Sequence, residues 1–188
     1  MMRPDEVASI TFASRLDQPA VTVTGMSLRH ATRADVPFLM ELYRSFRVDE
    51  MAPVPWSPEQ KHAFLEQQFL LQHRHYTAVF PEAEFLVIEI GGRPVGRLYL
   101  DNKQENWLIV DIGLLPEWRR QGRGSVLISA IQDQAKASGA AAISLHVEQR
   151  NFRAQALYTR LGFRVTNDAG THIHMEWDAS RPSQARLA

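Results

Sequence analysis

The run Arg119-Arg120-Gln121-Gly122-Arg123-Gly124-Ser125 has the residue types an anion requires. Three arginines surround two glycines spaced two apart, directly before an apolar run of helical period. The first N–H groups of a helix have no partner within it and carry a partial positive charge. Glycines let an anion approach that backbone with no side chain in the way. A phosphate or pyrophosphate is the ligand such a turn would hold. A plain strand-to-helix turn with a solvated basic rim is the other reading of the same residues. Two better-known phosphate loops do not fit. The nucleoside-triphosphate loop needs four residues between its glycines and a following Lys-Ser/Thr pair. The dinucleotide fingerprint needs three glycines soon after a first strand.

A turn of this kind needs a strand before it and a helix behind it, and the sequence supplies both. "NWLIVDIGLL" reads as a long strand ending at Pro116, and residues 125–137 read as a helix stopped by Gly139. "AAISLHV" is a further strand. Residues 151–161 form a helix with Asn151 as N-cap and Gly162 just past its end. Upstream, Thr32 with Asp35 resembles a capping box opening a helix that carries Val36, Leu39, Met40, Tyr43 and Phe46. Ser57, Pro58 and Gln60 open a second helix, which runs out near "HRHY". "AEFLVIEI" and "RPVGRLYL" flank Gly91-Gly92 as a hairpin. "SLRHAT" is an early strand, and "FRVTN" and "THIHMEW" form a last hairpin around "DAG". "SITF" and "AVTVT" are short strand candidates within residues 1–26. The order is β-α-α-β-β-β-α-β-α-β-β. It describes an α/β chain with a mixed sheet of about seven strands and helices on both faces. The β-α-β unit around the glycine turn requires a parallel strand pair.

The composition sets bounds. A chain of 188 residues suits one domain with a real core. Residues 27–178 are read as that domain, 1–26 as an N-terminal extension and 179–188 as a frayed tail. Apolar residues are 45% and charged residues 22%, an ordinary globular balance. No apolar run approaches the ~18 residues of a membrane span, and the first residues lack a secretory apolar region. A cytoplasmic protein is expected. Cysteine is absent, which excludes thiol catalysis and disulfides. Lys plus Arg and Asp plus Glu number 21 each, which argues against a broad nucleic-acid face.

The turn and its surroundings resemble the GNAT superfamily, the acyl-CoA-dependent N-acetyltransferases. Their pyrophosphate loop reads Gln/Arg-x-x-Gly-x-Gly/Ala, and residues 119–124 match it. The preceding "LLPEW" resembles the family's strand end. "HVEQRNFRAQALYTRLGF" resembles its strand-then-helix segment, with Asn151, Ala154, Leu157, Tyr158, Gly162 and Phe163 at the family's spacings. The resemblance is strong over residues 80–165. It implies direct attack of an amine on the thioester of acetyl-CoA, with no covalent enzyme intermediate and no metal. Loop N–H groups from Gln121 to Ser125 would hold the pyrophosphate, with Arg119, Arg120 and Arg123 around it. The amide-rich pantetheine arm would pair with Ile112, Gly113 and Leu114, whose backbone would also polarise the thioester carbonyl. Asn151, Arg153 and Ala154 would complete the cofactor site. Tyr158 would protonate the leaving thiolate; without the surrounding motif it reads as an amphipathic core residue.

The base is less well marked. A free amine with pKa near ~10.4 is about one part in a thousand neutral at pH 7, so a base or a dry site must help. Asp111, on the strand leading to the loop, is the first candidate, and its aspartate equally suits a loop anchor. Glu148, His146, Glu84 and a water chain are the alternatives. Trp56, Asp49 and Glu50 lie between the two early helices, where the family covers its acceptor. Acid and aromatic groups there would suit a cationic amine. The pairs His73/His75 and His172/His174 have no acidic partner at ligand spacing and read as solvated or hydrogen-bonded imidazoles. Arg150 and Arg160 are either phosphate contacts or a solvated helix face. The implied partner is a small-molecule or peptide amine, taken by a monomer or homodimer, with no nucleic acid or membrane. A non-catalytic acyl-CoA-binding module of the same fold is the alternative.

Overall fold

The computed structural model describes residues 10, 12, 17–168 and 170–181. Strand β1 (Ser27–His30) leads through a 3₁₀ turn (Arg33–Asp35) into helix α1 (Val36–Met51) and then α2 (Pro58–Val79). Strands β2 (Glu84–Ile90), β3 (Arg93–Asp101) and β4 (Asn106–Leu114) follow. Helix α3 (Arg123–Ala137), β5 (Ala142–Glu148), α4 (Phe152–Arg160), β6 (Arg164–Asp168) and β7 (His172–Asp178) complete the order expected from the sequence. The seven strands form one sheet in the order β1-β2-β3-β4-β5-β7-β6. Only the β4–β5 pair is parallel.

The local signals explain the element ends. The Ser57 N–H donates to the Gln60 side chain at 2.8 Å, and the Gln60 N–H returns to the Ser57 hydroxyl at 3.3 Å. Thr32 donates its N–H and its hydroxyl to Asp35 at 2.7 and 3.0 Å. Gly91 and Gly92 both have positive φ, 57° and 75°, as a two-residue hairpin of type I′ demands. Each sheet face then buries its own core. Leu127, Ile128, Ile131 and Tyr158 from α3 and α4 cover one face. Leu39, Tyr43, Leu65 and Phe69 from α1 and α2 cover the other.

Two irregularities shape the middle of the sheet. Tyr99 pairs with Asp111 and Leu100 with Ile109, so Val110 is an extra residue in β4. Such a bulge reverses the inside–outside phase of the strand beyond it. The β4–β5 ladder runs from Asn106–Ala142 to Ile109–Leu145 and then stops. Past that point residues 110–114 and 146–148 are not paired with each other, and the strand ends open.

The segment before β1 departs from expectation. Residues 20–24 do not form a strand; only an isolated bridge joins Val23 to Met26. Of "SITF", Ile10 and Phe12 are described and the rest lie outside the described residues. Ile10 is buried in the α1/α2 core, with Phe12 packed against it, while Val21 and Val23 are buried in the α3/α4 core. The described residues Ile10, Phe12, Val21 and Val23 therefore contribute to the cores on both faces of the sheet. The Ala20 N–H also donates to the buried Glu84 carboxylate at 3.2 Å. At the "DAG" turn the Gly170 N–H donates to Asp168 at 3.1 Å, while Ala169 and the tail beyond residue 181 fall outside the described residues. Among the described residues no helix is long and apolar enough to cross a membrane.

Candidate active site

The open ends of β4 and β5 form the floor of a cleft of about 1080 Å³. One wall is α1, carrying Tyr43, Phe46 and Arg47; the other is built from the starts of α3 and α4. The cleft joins the glycine turn to Asp111 and Tyr158, as the sequence implied.

At the turn, helix α3 begins at Arg123, two residues earlier than expected, so Gly124 lies within its first turn. Among the described residues, no acceptor meets the backbone N–H groups of residues 120–125; the first intrahelical bond is from Val126 to Gly122. These six groups are the orphan donors an anion would take. The two glycines serve different ends. Gly122 has φ 77°, a conformation that disfavours side chains. Gly124 is helical, and a Cβ there would meet only Leu157, at 3.4 Å. The fold leaves room for a side chain at 124; its absence keeps the helix start open. Arg120 lines the cleft with φ 60°, a strained value for a non-glycine residue.

The other loop side chains are more committed. Arg119 Nε donates to the Leu114 carbonyl at 2.7 Å, and its Nη2 donates to the Ser45 hydroxyl at 3.3 Å. Burial lowers its pKa from the ordinary arginine value. Gln121 donates to the Glu117 carbonyl at 2.7 Å and accepts from Arg123, whose guanidinium lies 4.8 Å from the Trp118 ring centre. Neither Gln121 nor Arg123 has its side chain on the cleft, whereas Ser125 does. Asn151 caps α4 by accepting the Ala154 N–H at 3.1 Å. Asn151, Arg153, Ala154 and Arg160 line the cleft.

Tyr158 is 8% exposed, and its hydroxyl has no hydrogen-bond partner among the described residues. Burial, and then the Asp111 charge, push its pKa up to about 12. The phenol stays protonated at neutral pH and faces the cleft. Asp111 is held differently. Its Oδ2 accepts from Arg97 Nη2 at 2.6 Å and from the Tyr76 hydroxyl at 3.3 Å. Arg97 is 2% exposed. Burial is the largest single influence and lowers its pKa, but the Asp111 charge and hydrogen bond, together with Tyr99 and Tyr76, hold it above the ordinary value. The carboxylate is thus the counter-ion of a buried cation.

His146 lies on β5 just past the end of the ladder and lines the cleft. Burial and then the neighbouring imidazoles of His174 and His172 lower its pKa, which favours the neutral ring. The His146 and His174 rings lie 4.8 Å apart. Beside them, Arg47 on α1 bonds Glu50 at 2.9 Å and reaches across the cleft to Glu148 at 3.3 Å. Glu84 is buried away from the cleft, where it accepts from Ala20 and Asn102. Trp56 packs edge-on against Phe64 and, like Asp49, does not line the cleft.

Sequence reasoning missed Phe46, Arg47 and Arg97 as site residues. Arg97 carried one signal, a charge placed between apolar strand residues. Its partner could not be read, because the Val110 bulge alters which β4 side chains share its face.

The profile of the acetyltransferase (GNAT) family matches residues 38–163. An uncharacterized N-acetyltransferase of Methanocaldococcus jannaschii is 27% identical over 145 residues, which are 73% of this chain and 60% of that protein. The match thus spans less than two thirds of that relative. The uncharacterized N-acetyltransferase YhfO of Bacillus subtilis is 26% identical over 144 residues, 73% of this chain and 89% of its own. Among solved structures, the PaiA N-acetyltransferase of Thermoplasma acidophilum, in complex with coenzyme A, superposes with a TM-score of 0.62 at 19% identity. That superposition covers 81% of this chain and 98% of that one.

Proposed function

The chain belongs to the GNAT acetyltransferase family, and we propose that it transfers an acetyl group from acetyl-CoA to a primary amine. The observation that carries this reading is the run of unpaired N–H groups at residues 120–125, which opens onto the same cleft as the buried, protonated Tyr158. Acetyl-CoA would supply the acetyl group as a thioester. The loop N–H groups and Arg120 bind its pyrophosphate, with Arg153 beside them. The open edge at Ile112, Gly113 and Leu114 orients the pantetheine arm and polarises the thioester carbonyl. As the amine nitrogen bonds to the carbonyl carbon and the C–S bond breaks, Tyr158 gives its proton to the thiolate. His146, whose pKa is lowered by partial desolvation and by the His174 and His172 imidazoles, accepts the proton the amine loses. Asp111 and Arg97 act as positioning residues that hold the bulged end of β4 in place. The domain includes Ile10, Phe12, Val21 and Val23, which pack into its two cores, and the cysteine-free chain suits a cytoplasmic setting.

The test is a screen of primary amines against acetyl-CoA with detection of released thiol, followed by Tyr158→Phe with the best acceptor. Affinity for acetyl-CoA should change little, and kcat should fall by roughly 10²–10⁴. Full activity in Tyr158→Phe would remove Tyr158 as the acid. Binding without turnover of any amine would favour a non-catalytic acyl-CoA-binding module.

A further inference from the structure

Phe46 on α1 lies directly over Gly113 of β4. A Cβ at position 113 would stand 2.3 Å from the Phe46 Cζ and 3.0 Å from its Cε1, so glycine is the residue that admits this ring. Two guanidinium groups flank it, Arg97 at 5.7 Å and Arg119 at 5.1 Å from the ring centre. Both are fixed from elsewhere. Arg97 is tied to Asp111 at 2.6 Å, and Arg119 to the Leu114 carbonyl at 2.7 Å and to Ser45 at 3.3 Å. The ring is therefore a wall held in one position rather than a mobile side chain. Phe46 and Gly113 both line the cleft, and the Val110 bulge turns Gly113 toward α1.

We infer that Phe46, seated on Gly113 and clamped by Arg97 and Arg119, sets the acyl-chain length this protein accepts and restricts it to acetyl. The inference rests on the acetyltransferase reading, which puts the thioester carbonyl at residues 112–114. Carbons beyond the acetyl methyl would then run into a ring that two anchored arginines prevent from yielding. Packed pockets discriminate by about 10–200-fold per methylene, so two added methylenes are strongly opposed.

The experiment measures binding as well as turnover, so it does not wait on an acceptor. Calorimetry gives Kd for CoA, acetyl-CoA and butyryl-CoA with the wild type, Phe46→Leu and Phe46→Ala, after a thermal melt of each. The wild type should bind butyryl-CoA at least tenfold more weakly than acetyl-CoA. Phe46→Ala should bring the two within about threefold, with Phe46→Leu between, each ratio being read against that variant's own Kd for CoA. Thioester hydrolysis rates for the same compounds should shift in the same order. If Phe46→Ala does not fold, Phe46→Leu alone must narrow the ratio. A butyryl-to-acetyl ratio that is the same in the wild type and the variants would overturn the inference while leaving the acetyltransferase reading intact. Failure of CoA and acetyl-CoA to bind the wild type would defeat that reading first.

Discussion

Replacing Arg97 by Met should be one of the costliest single changes in the chain, and a second change should repair part of the damage. Arg97 is 2% exposed, and its partner Asp111 has 14% of its side chain exposed, so the pair is shielded from solvent. In Arg97→Met the Asp111 carboxylate keeps only the Tyr76 hydroxyl, at 3.3 Å. Breaking a buried pair by removing one partner costs about 3–5 kcal/mol, because the other charge is left uncompensated. That is a large fraction of the 5–15 kcal/mol by which typical domains are stable. Asp111→Asn in the wild-type background should cost a similar amount, since it strands the buried guanidinium. In the Arg97→Met background the same Asp111→Asn should instead restore stability. It removes the stranded charge, while the amide oxygen can still accept from Tyr76. Urea unfolding of the four proteins at neutral pH gives the cycle. The coupling should exceed about 2 kcal/mol, and the effect of Asp111→Asn should change sign between backgrounds. Equal losses from Asp111→Asn in both backgrounds would refute the ion-pair account and return Asp111 to the list of bases.

Three further outcomes are expected. If His146 is the base it must be neutral to work, so kcat should fall as pH drops through its pKa. Burial places that pKa below the ordinary imidazole value of 6.5, so the loss should be confined to acidic pH and should vanish from the pH profile of His146→Gln. The Tyr158 phenol, raised to about 12, should add no alkaline fall below about pH 11. Deleting residues 1–26 strips Ile10, Val21 and Val23 from the two cores, where each is at most 6% exposed. At about 1.5–3 kcal/mol for each fully buried side chain, the deletion should cost several kcal/mol, read as a lowered urea midpoint. An unchanged midpoint would mean that these side chains add nothing to the stability of the two cores.

What could be read in advance follows the range of the interactions involved. Gly91-Gly92, Ser57-Pro58 and the Gly122 turn act on their own few residues, so their structural consequences were legible, as was the order of elements. The run of N–H groups without acceptors among the described residues was legible for the same reason: they are consecutive groups of one turn. The chemistry at the other end of the cleft depends on contacts between distant parts of the chain. Asp111 read equally as a base or a loop anchor, because nothing local announces the bulge at Val110 or its partner Arg97, fourteen residues earlier. Phe46 read as one more apolar position on a helix stripe, because its contact with Gly113 depends on how α1 crosses β4. Residues 20–24 alternate as a strand would, but β1 already holds the sheet edge beside β2, and their valines fill the core instead. Conversely, His146 was a weak candidate in the sequence and becomes a strong one only through the end of the β4–β5 ladder at Leu145. The next residue on that strand has lost its parallel neighbour, and its imidazole faces the gap this leaves. The separation of two strands thus does two things at once: it leaves the β4 backbone beyond Ile109 without its parallel neighbour and puts the His146 imidazole beside it. Locally strong motifs report the cofactor end of such a site, and the end that selects acyl group and acceptor is written in packing.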